Sequence, residues 1–388
     1  MKKRKLWMPV LAGLLFGQLS AQGERPFKVI NTIRAGYNDN LYRTDDPTKS
    51  FFVTDVIDLS LHAVLSDRTD LMVKSQLTLL DDDGGSEFYP NLYAMLNHSV
   101  SSRLLLRLSE YYRSGEFTND RRGGAPAAQD QRYSYFYNNA DAMADYVLTR
   151  KDRLQGSLGY SIQQHDREAE ELDWTTLSPS VSWKRDIIQQ RTYSTLKLGE
   201  RMTKYDNRDS SFDATDLSAG LNHTFNQSWQ GNVEAGVSHV RPDYPSPAEN
   251  ESTLSPLFKA GLVYSPSPRT RFSGDLSHQY SESDDSSYGG QTTTALDLGA
   301  QHDITAKLMA KATARFASAE SDARDNERAA NTSNTAERMD LEFRLTYKLN
   351  RINFLELGVK HSEESNSNSD YSDWDQNVVD IGWRVELN

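Results

Sequence analysis

The chain has 388 residues, no cysteine and a formal net charge of −12. Without cysteine it can form no disulfides or thiolate metal sites and carries no lipid-modified cysteine. The acidic balance excludes nucleic acid as a partner, because binding it needs a basic footprint. On average the chain is polar, which suits a soluble protein and equally a transmembrane barrel, whose alternating strands average out as polar.

Lys2, Lys3, Arg4 and Lys5 open the sequence. An apolar run follows from Leu6 to Phe16, broken by Pro9 and Gly13, and small residues Ser20, Ala21 and Gly23 come next. A basic start, a short apolar centre and a small-residue exit describe a secretory signal peptide, expected over residues 1–23. The apolar run is shorter than the roughly 20 residues a permanent helical anchor needs. Residues 24–388 are then expected to form one unit in the outer membrane, with both ends on the periplasmic side.

From there the repeating signal is strand alternation. Phe51, Val53, Ile57, Leu59 and Leu61 share a parity against Thr54, Asp58, Ser60 and His62. Leu71, Val73, Leu77 and Leu79 oppose Lys74, Gln76 and Thr78. The pattern returns at Leu154, Leu158, Tyr160 and Ile162, and at Leu308, Ala310, Ala312, Ala314 and Phe316 against Lys311, Thr313 and Arg315. It is cleanest at Leu341, Phe343, Leu345, Tyr347 and Leu349, and it closes the chain at Val379, Ile381, Trp383, Val385 and Leu387. In a strand such residues lie on one face; on a helix they would scatter.

Short polar turns, such as those near Ser66-Asp67-Arg68, Asn226-Ser228 and Asn350-Arg351, alternate strictly with longer hydrophilic connections. The longer ones include Asp81–Glu87, Arg113–Gln131 and Ala317–Glu337. About eight turns and nine loops predict about eighteen strands of roughly ten residues, the length that crosses a bilayer. The fold class expected is all-β: a transmembrane, antiparallel, up-and-down β-barrel. A soluble sandwich uses shorter strands and shows no such alternation of loop length.

Aromatic residues gather at the expected strand ends: Tyr37, Phe51, Phe88, Tyr89, Tyr111, Tyr133, Tyr193, Phe225, Trp229, Tyr264, Tyr280 and Trp383. They are read as girdles at the membrane interfaces. The alternative weighed against this is a sugar-stacking platform at Tyr133, Tyr135, Phe136 and Tyr137. No HExxH, GxSxG elbow or phosphate loop is present, so no catalytic, cofactor or metal residues are expected. Asp81-Asp82-Asp83-Gly84-Gly85 and Ser283-Asp284-Asp285 lack the spacing of a calcium loop and read as solvated tips.

Parity puts a set of charged residues on the inward face. The pore-lining candidates are Lys74, Arg107, Asp141, Lys259, Arg271, Asp275, Lys311, Arg315, Glu342, Arg344, Lys348 and Arg384. Asp145, Lys184, Asp297, Glu356 and Asp380 share their parity. Mixed charge on that face reads either as a lumen of paired charges or as a water-filled path that selects solutes.

Two stretches carry a family resemblance. Gly36-Tyr37-Asn38-Asp39-Asn40-Leu41-Tyr42 ends the first strand, and Tyr146-Val147-Leu148, Arg153-Leu154, Gly159-Tyr160, Asp173, Pro179 and Trp183 follow in the middle. The sequence here resembles the β-barrel porin families that often accompany exopolysaccharide synthesis and export. The resemblance implies an outer-membrane barrel of this strand number, with outer-membrane lipid around it and polysaccharide and periplasmic export machinery as partners. It assigns no ligand-contact residues. The last strand departs from the common pattern by ending Leu387-Asn388 instead of on an aromatic residue. Two functions follow as expectations: a channel for hydrophilic solutes serving polymer export, or a plugged surface barrel that binds through its acidic external loops.

Overall fold

In a computed structural model, the described residues are 27–387 apart from residue 84 and segments 117–133, 166–172, 207–210, 244–251, 282–287, 324–333 and 369–371. The expected signal peptide and the Ser283-Asp284-Asp285 tip lie outside them. Eighteen strands follow in order: β1 (Phe27–Asn38), β2 (Ser50–Ser66), β3 (Thr69–Asp82), β4 (Gly85–Ser99), β5 (Leu104–Glu116), β6 (Ser134–Val147), β7 (Asp152–His165), β8 (Trp174–Ile188), β9 (Thr192–Tyr205), β10 (Ser211–Thr224), β11 (Trp229–Asp243), β12 (Thr253–Ser267), β13 (Thr270–Ser281), β14 (Tyr288–Asp303), β15 (Leu308–Ala323), β16 (Asn334–Lys348), β17 (Asn353–Asn366) and β18 (Trp374–Leu387). Each pairs antiparallel with its neighbours in sequence, and β1 pairs with β18 from Val29↔Leu387 to Asn38↔Val378. The sheet is therefore closed. No helix of the described residues is long and apolar enough to cross a membrane, and closure gives the sheet the other means of satisfying its backbone in hydrocarbon.

The alternation read from the sequence separates two faces. Leu196, Leu217, Leu262, Leu298, Phe343, Leu357 and Ile381 lie on the outer one, each 43–61% exposed. A water-soluble surface rarely carries an apolar patch of that extent, whereas lipid covers it at no cost. Side chains of the other face meet across intervening strands, as Arg34 on β1 meets Glu356 on β17. That face is the concave, inner one.

The turns share one device. Ser66, Ser101, Thr149, Asn226, Ser267, Thr305 and Asn350 each accept a backbone N–H from two residues on, as in Ile352 N–H to Asn350 Oδ1 at 3.0 Å. These side chains stand in for a backbone turn partner. The turn after β8 uses Gln190 at φ +61° instead. Prolines set where ladders stop, since they lack the N–H. Pro90 pairs with Leu77 of β3, but the β4–β5 ladder starts only at Asn91. Pro256 pairs with Val237 of β11, but the β12–β13 ladder starts only at Phe258↔His278.

Two expectations change. The strands run 12 to 17 residues, longer than the expected ten, and the long connections shorten accordingly. Toward the loops the outer face turns charged, at Glu200, Arg241 and Glu363, so the strands continue past the hydrocarbon and the apolar alternation that marked them ends early. Asp81–Glu87 is no long loop: β3 and β4 pair up to Asp82↔Gly85, and Gly85 takes φ +125°, which only glycine adopts freely.

Arginine at Leu298, on the outer face near mid-strand, is expected to cost roughly 2 to 4 kcal/mol of stability. Thr313→Arg points inward beside the side-chain-free Gly299 and is expected to cost far less. Urea titration of the barrel refolded into lipid vesicles checks both, and equal losses would contradict the assignment of faces.

Candidate functional site

The register puts all twelve pore-lining candidates on the concave face, in rows that cross the strands. One row runs Arg271, Gln301, Lys311, Arg344 across β13–β16. The next toward the loops but one runs Asp275, Asp297, Arg315, Asp340, and the Asp297–Arg315 pair closes to 3.6 Å. Glu342 pairs with Lys360 in register, and both Lys348 and Arg384 pair with Phe354. Lys259 lies between Glu234 and Ser277. On the opposite wall, Lys74 stands between Ser60 and Tyr93, Arg107 donates to Asn97 Oδ1 at 2.8 Å, and Asp141 accepts from Asn139.

Three of the candidates, Glu342, Arg344 and Arg384, come together in one network with Arg34, Glu356 and Asp380. Glu356 is nearly enclosed and takes Arg34 at 3.0 Å, Arg384 at 3.1 Å and Arg344 at 3.6 Å. Arg344 also forks onto Asp380 at 2.9 and 3.1 Å and reaches Glu342 at 3.2 Å. The bidentate geometry is the strong form of this contact. Both long-range pairs pass over a glycine. Arg344 and Asp380 flank Gly358 in one row, while Arg34 and Glu356 flank Gly382 in another. A Cβ at Gly358 would collide with the Asp380 carboxylate and the Arg344 guanidinium. The missing side chains are what let strands two apart exchange charges, and Arg34 thereby bridges the seam where the sheet closes.

The opposite rim is narrowed. β12 and β13 separate above Phe258↔His278 although both continue. The end of β13 leans across the interior: Arg201 Nη2 of β9 donates to the Tyr280 carbonyl at 3.4 Å, and the Tyr280 ring stacks on Phe212 of β10 at 6.4 Å. Ala214 and Val240 beneath them are fully enclosed.

The aromatic residues divide by face. Tyr37–Phe51, a tilted pair, and the stacks Tyr112–Phe136 and Trp229–Tyr264–Phe272 lie on the outer face, as girdles require. Tyr89, Tyr111 and Tyr193, expected in the girdle, fall on the inner face by register, and Tyr280 packs on Phe212. Of the weighed platform, Tyr135 and Tyr137 face inward, Phe136 faces out, and Tyr133 lies outside the described residues. Strand-end position alone does not distinguish a girdle ring from a lumen ring; parity does for Tyr89, Tyr111 and Tyr193, whereas Tyr280 shares the parity of outer-face Phe272 and comes inside through the lean of β13. Sequence reasoning also missed Arg34, whose strand mixes Ile30 and Thr32 with it on the inner face, and the two glycines, which carry no signal until the register is known. Among the described residues no three potential metal ligands come together.

Residues 186–387 match the family described as Putative beta-barrel porin 2. No curated protein matches the chain in sequence. Among solved structures, the chain is similar to the Pseudomonas aeruginosa protein OccK2 (OpdF), at 10% identity, covering 93% of this chain and 98% of that one, with a TM-score of 0.52. The same protein in complex with glucuronate gives 11% identity, the same coverage and 0.52. The outer membrane protein OpdK of that organism gives 12% identity, 93% and 99% coverage, and 0.49. The two likenesses at 0.52 speak to the fold alone.

Glu356→Gln would leave three guanidinium groups converging on a neutral amide. The expected loss is on the order of 3 kcal/mol, read as a lower urea midpoint in lipid vesicles. Glu342→Gln, at the exposed margin of the network, is expected to lower it little.

Proposed function

The chain belongs to this family of β-barrel porins, and from that premise we propose that its interior is a diffusion path for hydrophilic solutes across the outer membrane, with exopolysaccharide as its cargo. The observation that carries the reading is the inner face, which carries charged groups of both signs on opposite walls of the barrel. A barrel of 16 to 18 strands encloses an aqueous channel of about the width a hydrated solute needs, and such charge patterns set which solutes pass. Transport here is passive, driven by the solute's own gradient. In this orientation the tight turns and both chain ends face the periplasm, where export machinery would meet the barrel, and the rim narrowed by β13 faces outward. The signal peptide expected over residues 1–23 would deliver the chain there.

That narrowed rim also favours a second reading, a plugged barrel that works through its surface. Single-channel recording of the purified protein in a planar bilayer, with and without an acidic polysaccharide, separates the two. Steady current blocked by the polymer supports export, and current without block leaves a general porin. A correctly folded barrel that passes no current would establish the plugged form. In the channel reading, replacing both Phe212 and Tyr280 by alanine is expected to raise the conductance.

A further inference from the structure

The inner wall of β4–β8 carries an arc of aromatic rings that the charge network does not use. Tyr93 and Tyr111 are direct cross-strand partners. Tyr111 and Tyr137 lie 6.0 Å apart, as do Tyr137 and Trp174, which meet across the intervening Gln163 of β7. All four are half-buried, each keeping part of its surface toward the interior. They cannot serve as a membrane girdle, because their register aims them away from lipid. They are not a closed core, because they are not enclosed. Nor do they converge on one point, as a cage for a cation would. They are strung out across β4, β5, β6 and β8, the two measured steps being 6.0 Å each.

Planar polar groups adjoin the Tyr93 end of the arc. Asp58 accepts from Gln76 Nε2 at 2.9 Å, and Gln76 Oε1 accepts from Asn91 Nδ2 at 3.3 Å. Together with Lys74, Tyr93 and Tyr111 these side chains line a concavity of about 360 Å³. A sugar ring has an apolar C–H face and a rim of hydroxyl groups. Aromatic faces take the first, and carboxylate and amide groups take the second.

We infer that the arc Tyr93–Tyr111–Tyr137–Trp174 is a binding track for a linear carbohydrate chain, whose rings pack on the aromatic side chains while the hydroxyls at its Tyr93 end bond to the Asp58–Gln76–Asn91 ladder. The inference deepens the proposed export role and rests on the interior being the solute's path. Because the strands tilt against the barrel axis, a row that crosses them climbs the wall, so the track leads along the lumen as well as around it.

Isothermal titration calorimetry of the folded, detergent-solubilised barrel with maltohexaose and with cellohexaose tests it, folding being checked by heat-dependent gel migration. Binding of at least one hexasaccharide is expected. Tyr111→Leu and Tyr137→Leu are each expected to weaken it by up to about tenfold, Tyr→Phe at either position to retain it, and Phe136→Leu on the outer face to leave it unchanged. No binding of either sugar by the folded wild-type barrel, or leucine variants that bind as well as wild type, would overturn the track. Conductance is read separately: current without sugar binding sinks the track and leaves the channel, whereas sugar binding without current sinks the channel and leaves the track.

Discussion

Hydrocarbon offers no partner to a backbone N–H or C=O, so a sheet that crosses it must have no free edge. The rest of the molecule depends on this one constraint. It brings Val29 against Leu387, it makes every strand a wall with one face in lipid and one in the interior, and it leaves side-chain parity as the only freedom in the transmembrane region. Polar residues can be spent on the inner face without weakening the outer one. An acidic, cysteine-free chain with no long apolar segment can therefore still be an integral membrane protein.

The place where the sheet closes is also where its charges are densest. Arg34 lies on the first strand, Glu356 and Asp380 on the last two, and Arg344 on the strand before them. Gly358 and Gly382 open the wall so that these groups meet over the strands between them. The opposite wall is built differently: its polar groups are mostly uncharged, and aromatic rings take the space that ion pairs take near the seam. The barrel is thus two half-walls of different chemistry, one rich in ion pairs and one in aromatic rings, with the leaning end of β13 between them at the rim.

The barrel was legible in the sequence because a single rule, alternation, repeats in strand after strand. Leu341 to Leu349 announces a strand without help from any other part of the chain, and the Ser, Thr and Asn residues that shape the turns fall where the alternation breaks. The match to the porin family lies over residues 186–387, beyond both stretches whose residues carry the resemblance, so pattern and family point the same way from different parts of the chain. Strand ends were less legible, since apolar alternation ceases where lipid does, whereas hydrogen bonding continues. Individual inner-face groupings were not legible: parity tells that Arg344 and Asp380 share a face, but only the register shows that a glycine stands between them. The lean of β13 had no signal beyond Pro256, which has no N–H to offer the neighbouring strand.

All but one of the ladders join strands adjacent in sequence; the exception ties the two ends of the chain together. A hairpin closes cheaply, because the cost of loop closure grows only with the logarithm of its length. The final seam gains nothing from being local, since it must wait until the whole circumference is available, and topologies dominated by such distant pairing are slow to form. For a chain in transit to a membrane, the interval before closure is the vulnerable one, with two long unpaired edges exposed at once. The salt bridges at that seam act at the end of assembly: they convert a barrel that has come round on itself into one that stays shut.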